Sequence, residues 1–168
     1  MRTTIYLTGF MGTGKSVVGK ELSRLLRRPF IDLDLSIERA AGSSVASLFA
    51  RRGEAAFRKL EELALARAAK RKGVVVALGG GTLLNHKNRA LVGKSGLLVN
   101  LSCSRSELIR RLKPQRAARP LLAGGLLSVR IGKLLRARRA AYEGADCEVS
   151  TTTNSPKTAA MLIAQRIP

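Results

Sequence analysis

The segment Gly9-Phe10-Met11-Gly12-Thr13-Gly14-Lys15-Ser16 spaces its glycines, a lysine and a hydroxyl as G-x-x-x-x-G-K-[ST]. Each residue type has a task toward a polyphosphate. Glycines let the backbone wrap an anion without a Cβ in the way and reach positive φ where needed. Consecutive N–H groups, backed by the positive end of a helix, bind anionic oxygens. Lys15 supplies a point charge for the β- and γ-phosphates, and the Ser16 hydroxyl can ligate Mg²⁺. A glycine-rich turn that only caps a helix is the bland alternative. The motif, however, follows a strand-like run and opens a helical pattern, the setting in which a phosphate loop works. No N-K-x-D stretch for reading guanine occurs, so a GTPase is disfavoured.

Ile31-Asp32-Leu33-Asp34 carries two carboxylates. Read as the end of a strand, alternation puts both on one face. Ligands bind at the carboxyl ends of strands in α/β sheets, where the phosphate loop also lies. Asp32 is then placed to hold Mg²⁺, directly or through water. Asp34 is placed to accept hydrogen bonds from substrate hydroxyls and to take the proton of the attacking one. Asp34 could instead cap a helix starting near Ser36.

Three further motifs have a functional and a bland reading each. Gly53-Glu54-Ala55-Ala56-Phe57-Arg58 puts an arginine one turn into a helix. Its planar guanidinium could clamp a carboxylate bidentately or simply face solvent. Gly79-Gly80-Gly81 ends an aliphatic strand. Three glycines there suit close approach of a ligand to the backbone, with Gly80 offering its N–H to an anion, or a flexible turn. Arg116-Ala117-Ala118-Arg119-Pro120-Leu121-Leu122 lies in the aperiodic stretch Lys113 to Gly125, which reads as a mobile lid. An arginine carried over the γ-phosphate would neutralise developing charge and help exclude water. Arg136, Arg138 and Arg139 precede Tyr142 on a helical pattern, where a solvated basic face is the ordinary reading.

The elements that must position these residues alternate along the chain. Short apolar runs at Thr4–Leu7, Phe30–Leu33, Val74–Leu78, Leu97–Leu101 and Glu148–Thr151 read as strands. Helical spacing marks Ser16–Leu26, Ser36–Ala41, Val45–Ala50, Glu54–Arg71, Glu107–Leu112, Leu127–Tyr142 and Thr158–Arg166. Strand–helix alternation implies parallel βαβ units with helices on both faces of the sheet. No internal repeat or linker divides the chain, which reads as a single domain over residues 1–168.

Composition bounds the function classes. The chain has 168 residues, 45% of them hydrophobic, enough for one packed domain. No run approaches the roughly 18 apolar residues of a membrane span, and the amino-terminal run is too short for a signal peptide. These features predict a soluble, cytoplasmic protein with no membrane partner. One histidine and two cysteines, Cys103 and Cys147, exclude a zinc cluster or a disulfide framework. Lys and Arg number 31 against 11 Asp and Glu, a net charge of +20. Such charge raises nucleic acid as a partner. The cations are spread along the chain, and aromatic residues are 4% with no Trp. Stacking platforms for single strands are thus scarce, and nucleic acid is disfavoured. A basic solvated surface, or attraction of anionic substrates such as ATP, accounts for the charge more simply.

Taken in order, the motifs resemble the shikimate kinase family. The shared pattern is Gly9–Ser16, Asp32 with Asp34, Gly53–Arg58, Gly79–Gly81, Arg119–Leu122, and Arg138 four residues before Tyr142. The resemblance spans nearly the whole chain and implies a three-layer α/β/α P-loop fold, its five-stranded parallel sheet ordered 2-3-1-4-5. It implies a substrate-binding segment near 33–61, a lid near 112–125, and phosphorylation of shikimate to shikimate 3-phosphate by ATP with Mg²⁺. It assigns Gly12, Thr13, Gly14, Lys15, Ser16, Val17, Arg119 and Asn154 to ATP, with Arg111 near the adenine. Shikimate would be held by Asp34, Arg58, Gly80 and Arg138, with Val45, Phe49 and Phe57 walling its ring. Ser16 and Asp32 would hold the metal, and Asp34, Lys15 and Arg119 would carry the chemistry, in a monomer. One departure lies at Arg138-Arg139-Ala140-Ala141-Tyr142-Glu143-Gly144, where the family often has R-x-P-L-Y-E-E; counting back from Tyr142 selects Arg138 over Arg139. Two rivals are weighed against this reading. Another small-molecule P-loop kinase should lack the glycine triplet with its carboxylate clamp. A nucleic-acid-associated ATPase should show salt-dependent nucleic-acid binding.

Overall fold

The computed structural model describes residues 3–167. Among these residues, five strands, β1 (Thr4–Thr8), β2 (Phe30–Asp32), β3 (Val75–Ala77), β4 (Gly96–Ser102) and β5 (Cys147–Ser150), form one sheet. All neighbours are parallel, in the order β2-β3-β1-β4-β5. Among the described residues, seven α-helices connect and cover it: α1 (Lys15–Leu26), α2 (Leu33–Ala41), α3 (Val45–Ala69), α4 (His86–Ser95), α5 (Arg105–Leu112), α6 (Leu127–Glu143) and α7 (Pro156–Ala164).

The central strand shows why both faces must be covered. All five residues of β1 are buried. Ile5 and Leu7 point to one face and pack with Val18 and Leu22 of α1 and Ala159, Ala160 and Ile163 of α7. Tyr6 points to the other and packs with Leu65 of α3, Val92 of α4 and Ala141 of α6. A strand apolar on both sides reads as a continuous run, as the sequence shows. A third cluster, Phe10, Leu108, Leu112, Leu122 and Ile131, joins the phosphate loop to α5, α6 and the segment between them.

Three local differences from the sequence reading have physical causes. The second strand stops at Asp32, whose side chain caps α2 by accepting the Leu35 N–H at 3.2 Å. Asp34 therefore lies in the first turn of α2, so strand alternation with Asp32 is not what places it. The two helices read at Val45–Ala50 and Glu54–Arg71 are halves of α3, broken at Gly53 with φ 75° and ψ 170°. That backbone favours glycine, and it re-aims the second half toward the sheet. The aperiodic stretch after α5 is not irregular throughout: it holds 3₁₀ turns at Lys113–Ala118 and Pro120–Leu122. Leu122 there is fully buried.

Candidate active site

The carboxyl ends of β1, β2 and β3 open into one cavity of about 990 Å³. Its lining includes Gly12, Gly14, Lys15, Ser16, Val17, Asp32, Asp34, Arg58, Gly80, Arg119 and Arg138. One pocket thus collects the residues that the sequence marked for chemistry. Val45, Phe49 and Phe57 also line it, with the two phenyl rings 4.8 Å apart. Two of the assigned residues lie outside this lining: Thr13, buried behind the loop, and Asn154. Asn154 stands beyond β5, with its Nδ2 donating to the Ser150 carbonyl at 2.9 Å.

The phosphate loop is braced from behind. The Thr13 hydroxyl donates to the Phe10 carbonyl at 2.8 Å, and Thr151 Oγ1 donates to the Thr13 carbonyl at 2.9 Å. Arg111 reaches the Gly12 carbonyl at 3.2 Å and the Thr151 carbonyl at 2.6 Å. Gly12 and Gly14 hold φ of 81° and 89°, conformations that a Cβ would strain. Lys15 Nζ donates to the Gly9 and Phe10 carbonyls at 2.9 and 3.0 Å. Burial is the main reason its ammonium is pushed down to about 8; Arg119 and Arg138 push the same way, while Asp34 and Asp32 oppose.

Below the loop, Ser16 Oγ donates to Asp32 Oδ2 at 2.5 Å. Two oxygen ligands from different elements therefore meet at one point beside the cradle. Mg²⁺ takes few protein ligands and completes its octahedron with water and substrate phosphates, so this pair fits it. Among the described residues, no group of three or more His, Cys, Asp or Glu forms a fuller metal cage.

The opposite wall is built around the three glycines. A Cβ on Gly79 would lie 2.5 Å from Glu61 Oε1, and one on Gly81 2.6 Å from the Arg58 guanidinium. A Cβ on Gly80 would press Arg138 at 3.3 Å. Each glycine makes room for a different charged side chain. The triplet is a seat for a charge network, a reading between the two that the sequence offered.

Glu61 was not singled out in the sequence, although it stands one turn after Arg58 on a helical pattern. It is 1% exposed, bonds Arg58 Nη1 at 2.8 Å and accepts the Thr82 hydroxyl at 2.5 Å. Glu54 takes the other side of Arg58 at 2.8 Å. Burial works against the Arg58 charge, but Glu61 and Glu54 outweigh it and hold the guanidinium above its ordinary range. Arg58 is thus a half-buried group with a fixed direction, not a solvated one.

Arg138 is 3% exposed and donates to the Gly80 carbonyl at 3.1 Å. Tyr142 Oη donates to the same carbonyl at 2.6 Å. Arg139 is exposed and pairs with Glu143 at 2.5 Å. The geometry therefore separates the two arginines, and Arg138 faces the cavity. Asp34 lies near Lys15 on one side and Glu61 on the other. Its carboxyl is pushed up to about 6, first by burial and then by Glu61, against the pull of Lys15. Arg119 also faces the cavity; its Nη2 donates to Gln115 at 2.8 Å, and its Nε is buried with no partner among the described residues. An orphaned guanidinium donor suits an anionic oxygen.

The shikimate kinase family profile matches residues 11–168. The chain belongs to the shikimate kinase family. A shikimate kinase of Desulforudis audaxviator is 43% identical over 164 residues, 97% of this chain and 85% of that protein. One from Geobacter sulfurreducens is 44% identical over 151 residues, 90% of this chain and 83% of that protein. Among solved structures, a shikimate kinase from Acinetobacter baumannii in complex with shikimate superposes with a TM-score of 0.95 at 33% identity, covering 99% of this chain and 93% of that one. The sheet order implied by the family resemblance is the one observed. Among the described residues, no helix is long and apolar enough to cross a membrane.

Proposed function

We propose that this chain transfers the γ-phosphoryl group of ATP to the 3-hydroxyl of shikimate, working as a monomer in the cytoplasm. The carrying observation is that one cavity joins a phosphate loop with its lysine to a wall of two inward arginines on a glycine seat. A phosphate donor and a small carboxylate can therefore lie side by side.

In this reading Gly12 to Val17 hold the triphosphate, with backbone N–H groups and the α1 amino terminus taking the anionic oxygens. Asn154 flanks the nucleotide from the turn after β5, and Arg111 its base. Arg58, Arg138 and the Gly80 backbone grip the shikimate carboxylate, which fixes the ring against Val45, Phe49 and Phe57. Glu61 and Tyr142 keep Arg58 and Gly80 in place. Asp34 accepts the ring hydroxyl that reacts. That oxygen bonds to the γ-phosphorus as the bond to the ADP oxygen breaks, and its proton passes to Asp34. A carboxyl raised to about 6 is a better proton acceptor than an ordinary aspartate near neutral pH. Lys15 and Arg119 neutralise charge as it develops on the transferred group. Ser16 and Asp32 would hold Mg²⁺, which when bound neutralises the phosphates and fixes their geometry. The segment near 112–125 serves as a lid that brings Arg119 to the phosphates and excludes water.

The test is ADP release from Mg·ATP with and without shikimate, with gluconate and nucleoside monophosphates as control acceptors. Stimulation by shikimate alone is expected. No stimulation in folded, ATP-binding protein would assign the clamp to another acceptor.

A further inference from the structure

The end of the sheet opposite the cavity carries a feature that the phosphoryl-transfer site does not use. Three segments enter the sheet there side by side. The Pro29 carbonyl accepts the Val75 N–H at 2.9 Å, and the Val74 carbonyl accepts the Ile5 N–H at 2.9 Å. The Arg71 carbonyl accepts the Thr4 hydroxyl at 3.0 Å, and Arg28 donates to the Thr3 carbonyl at 2.8 Å. These bonds tie the entries to β2, β3 and β1 into one surface. Gly96, opposite Thr4, brings the end of α4 beside them.

The sequence loads this surface with one sign of charge. Residues 24–29 contain Arg24, Arg27 and Arg28; residues 67–74 contain Arg67, Lys70, Arg71 and Lys72; neither stretch contains Asp or Glu. Lys94 closes α4. All of these except Arg28 are exposed. Arg24 pairs with Glu21. Arg27, Arg67, Lys70, Arg71 and Lys94 have no carboxylate partner among the described residues.

Helix macrodipoles favour a cation in each last turn, and Arg24, Arg67 and Lys94 fill that role. Arg27, Lys70 and Arg71 stand beyond it. Arg27 is the single non-glycine residue at positive φ among those described, at 52° in the cap of α1. Glycine is the usual occupant of that position. Like charges held together oppose folding, so a dense cationic end whose nearby acids, Glu21 and Asp146, are far outnumbered suits a polyanion. These segments hold no aromatic residue to stack on a base or anchor in a bilayer. What they can read is a regular array of phosphates.

We propose that the amino end of the sheet docks the phosphodiester backbone of a nucleic-acid duplex, RNA or DNA, by charge alone. This runs against the expectation from sequence, which saw scattered cations; the parallel sheet gathers them. The docking is sequence-independent, and it leaves the kinase cavity open at the opposite end of β1, five residues or roughly 15 Å away.

The experiment measures anisotropy of labelled duplex RNA and duplex DNA with the full chain across a salt series. It compares two charge-matched variants. One is Arg27→Gln, Lys70→Gln, Arg71→Gln at the proposed face. The other is Arg130→Gln, Lys133→Gln, Arg136→Gln on α6, all exposed. The first should weaken binding by about 10-fold or more near 0.1 M salt and flatten the log–log salt slope by about 2 to 3. The second should change both less, and shikimate-dependent ADP release should be unchanged in the first. Binding to one duplex type only would assign the source of the backbone and still support the face. Equal losses in both variants would show that net charge acts without a face. Undiminished binding in the first, or preference for anionic phosphatidylserine vesicles over duplexes, would overturn the proposal.

Discussion

At the carboxyl end of the sheet most charged groups have a partner within the site: Arg58 lies between Glu54 and Glu61, Arg138 on the Gly80 carbonyl, and Asp32 takes the Ser16 hydroxyl. At the amino end, Arg27, Arg67, Lys70, Arg71 and Lys94 stand in solvent without a carboxylate among the described residues. The same residue types do different work. In a dry site a charge is costly unless paired, and pairing fixes its direction. In water a charge is cheap, screened and undirected. Five of the eleven carboxylates, Asp32, Asp34, Glu38, Glu54 and Glu61, belong to the cavity or its border, which leaves the remaining surface short of acids. The location of the acids thus sharpens the basicity of the outer surface, while the total charge is set by composition.

If that contrast holds, substitutions at the two ends should differ in kind, and the largest effects belong to the cavity. Lys15→Ala should lower kcat by on the order of 10³-fold or more, if its charge answers the transition state as proposed. Its melting temperature should hold or rise, because burial already disfavours the ammonium and holds it down to about 8. Steady-state kinetics and thermal melts on one preparation check both halves, and a large loss of stability would break the contrast. Asp34→Asn should cut kcat by about 10²-fold or more with the fold intact; near-normal turnover would remove it as proton acceptor.

Arg58→Ala should raise KM for shikimate by about 10- to 100-fold, the range for hydrogen bonds to charged groups, with little change in KM for ATP. It should also lower the melting temperature, because Glu61 would be left buried without its ion pair. Tyr142→Phe removes one bond to the Gly80 carbonyl and should raise KM for shikimate by about 5-fold, as for a neutral hydrogen bond. The same change in KM for ATP would show a general loosening of the site. The smallest effect belongs to the amino end: Arg27→Gln, Lys70→Gln, Arg71→Gln should leave kcat and both KM values within about twofold. A rise in KM for ATP that vanishes with added salt would mean that this end steers the nucleotide, and the separation of the two ends would fail.

Much of the site was legible because phosphate chemistry demands local patterns. A loop that cradles phosphate needs its glycines, lysine and hydroxyl within eight residues, so Gly9–Ser16 could be read from spacing alone. The aliphatic runs marked the strands because parallel strands are buried on both faces. The ordered motif set carried the family, and with it the sheet order. Asp34 lines the cavity, but not by strand alternation: the backbone turns into α2 at Leu33, where Asp32 caps it. Gly79–Gly81 stayed ambiguous because the side chains they seat are far away in sequence, and Arg58 because its neighbours Glu54 and Glu61, though local, do not reveal burial in the spacing. Glu61 gives no local signal because a glutamate beside Glu62 in a helical pattern looks like any solvated acid.

What the sequence determined by itself was the phosphate loop, the alternation of strands and helices, and the size of the charge imbalance, since each depends on neighbours along the chain or on composition. The tertiary structure supplied the burial behind the choice of Arg138 over Arg139 that counting back from Tyr142 had only selected: Arg138 faces in while Arg139 faces out. It alone seated Glu61, Arg138 and Arg58 against three successive glycines, and gathered cations from three separate segments at one end of the sheet. Those outcomes depend on how parallel strands register and on which groups are withdrawn from water, and neither is written in local spacing.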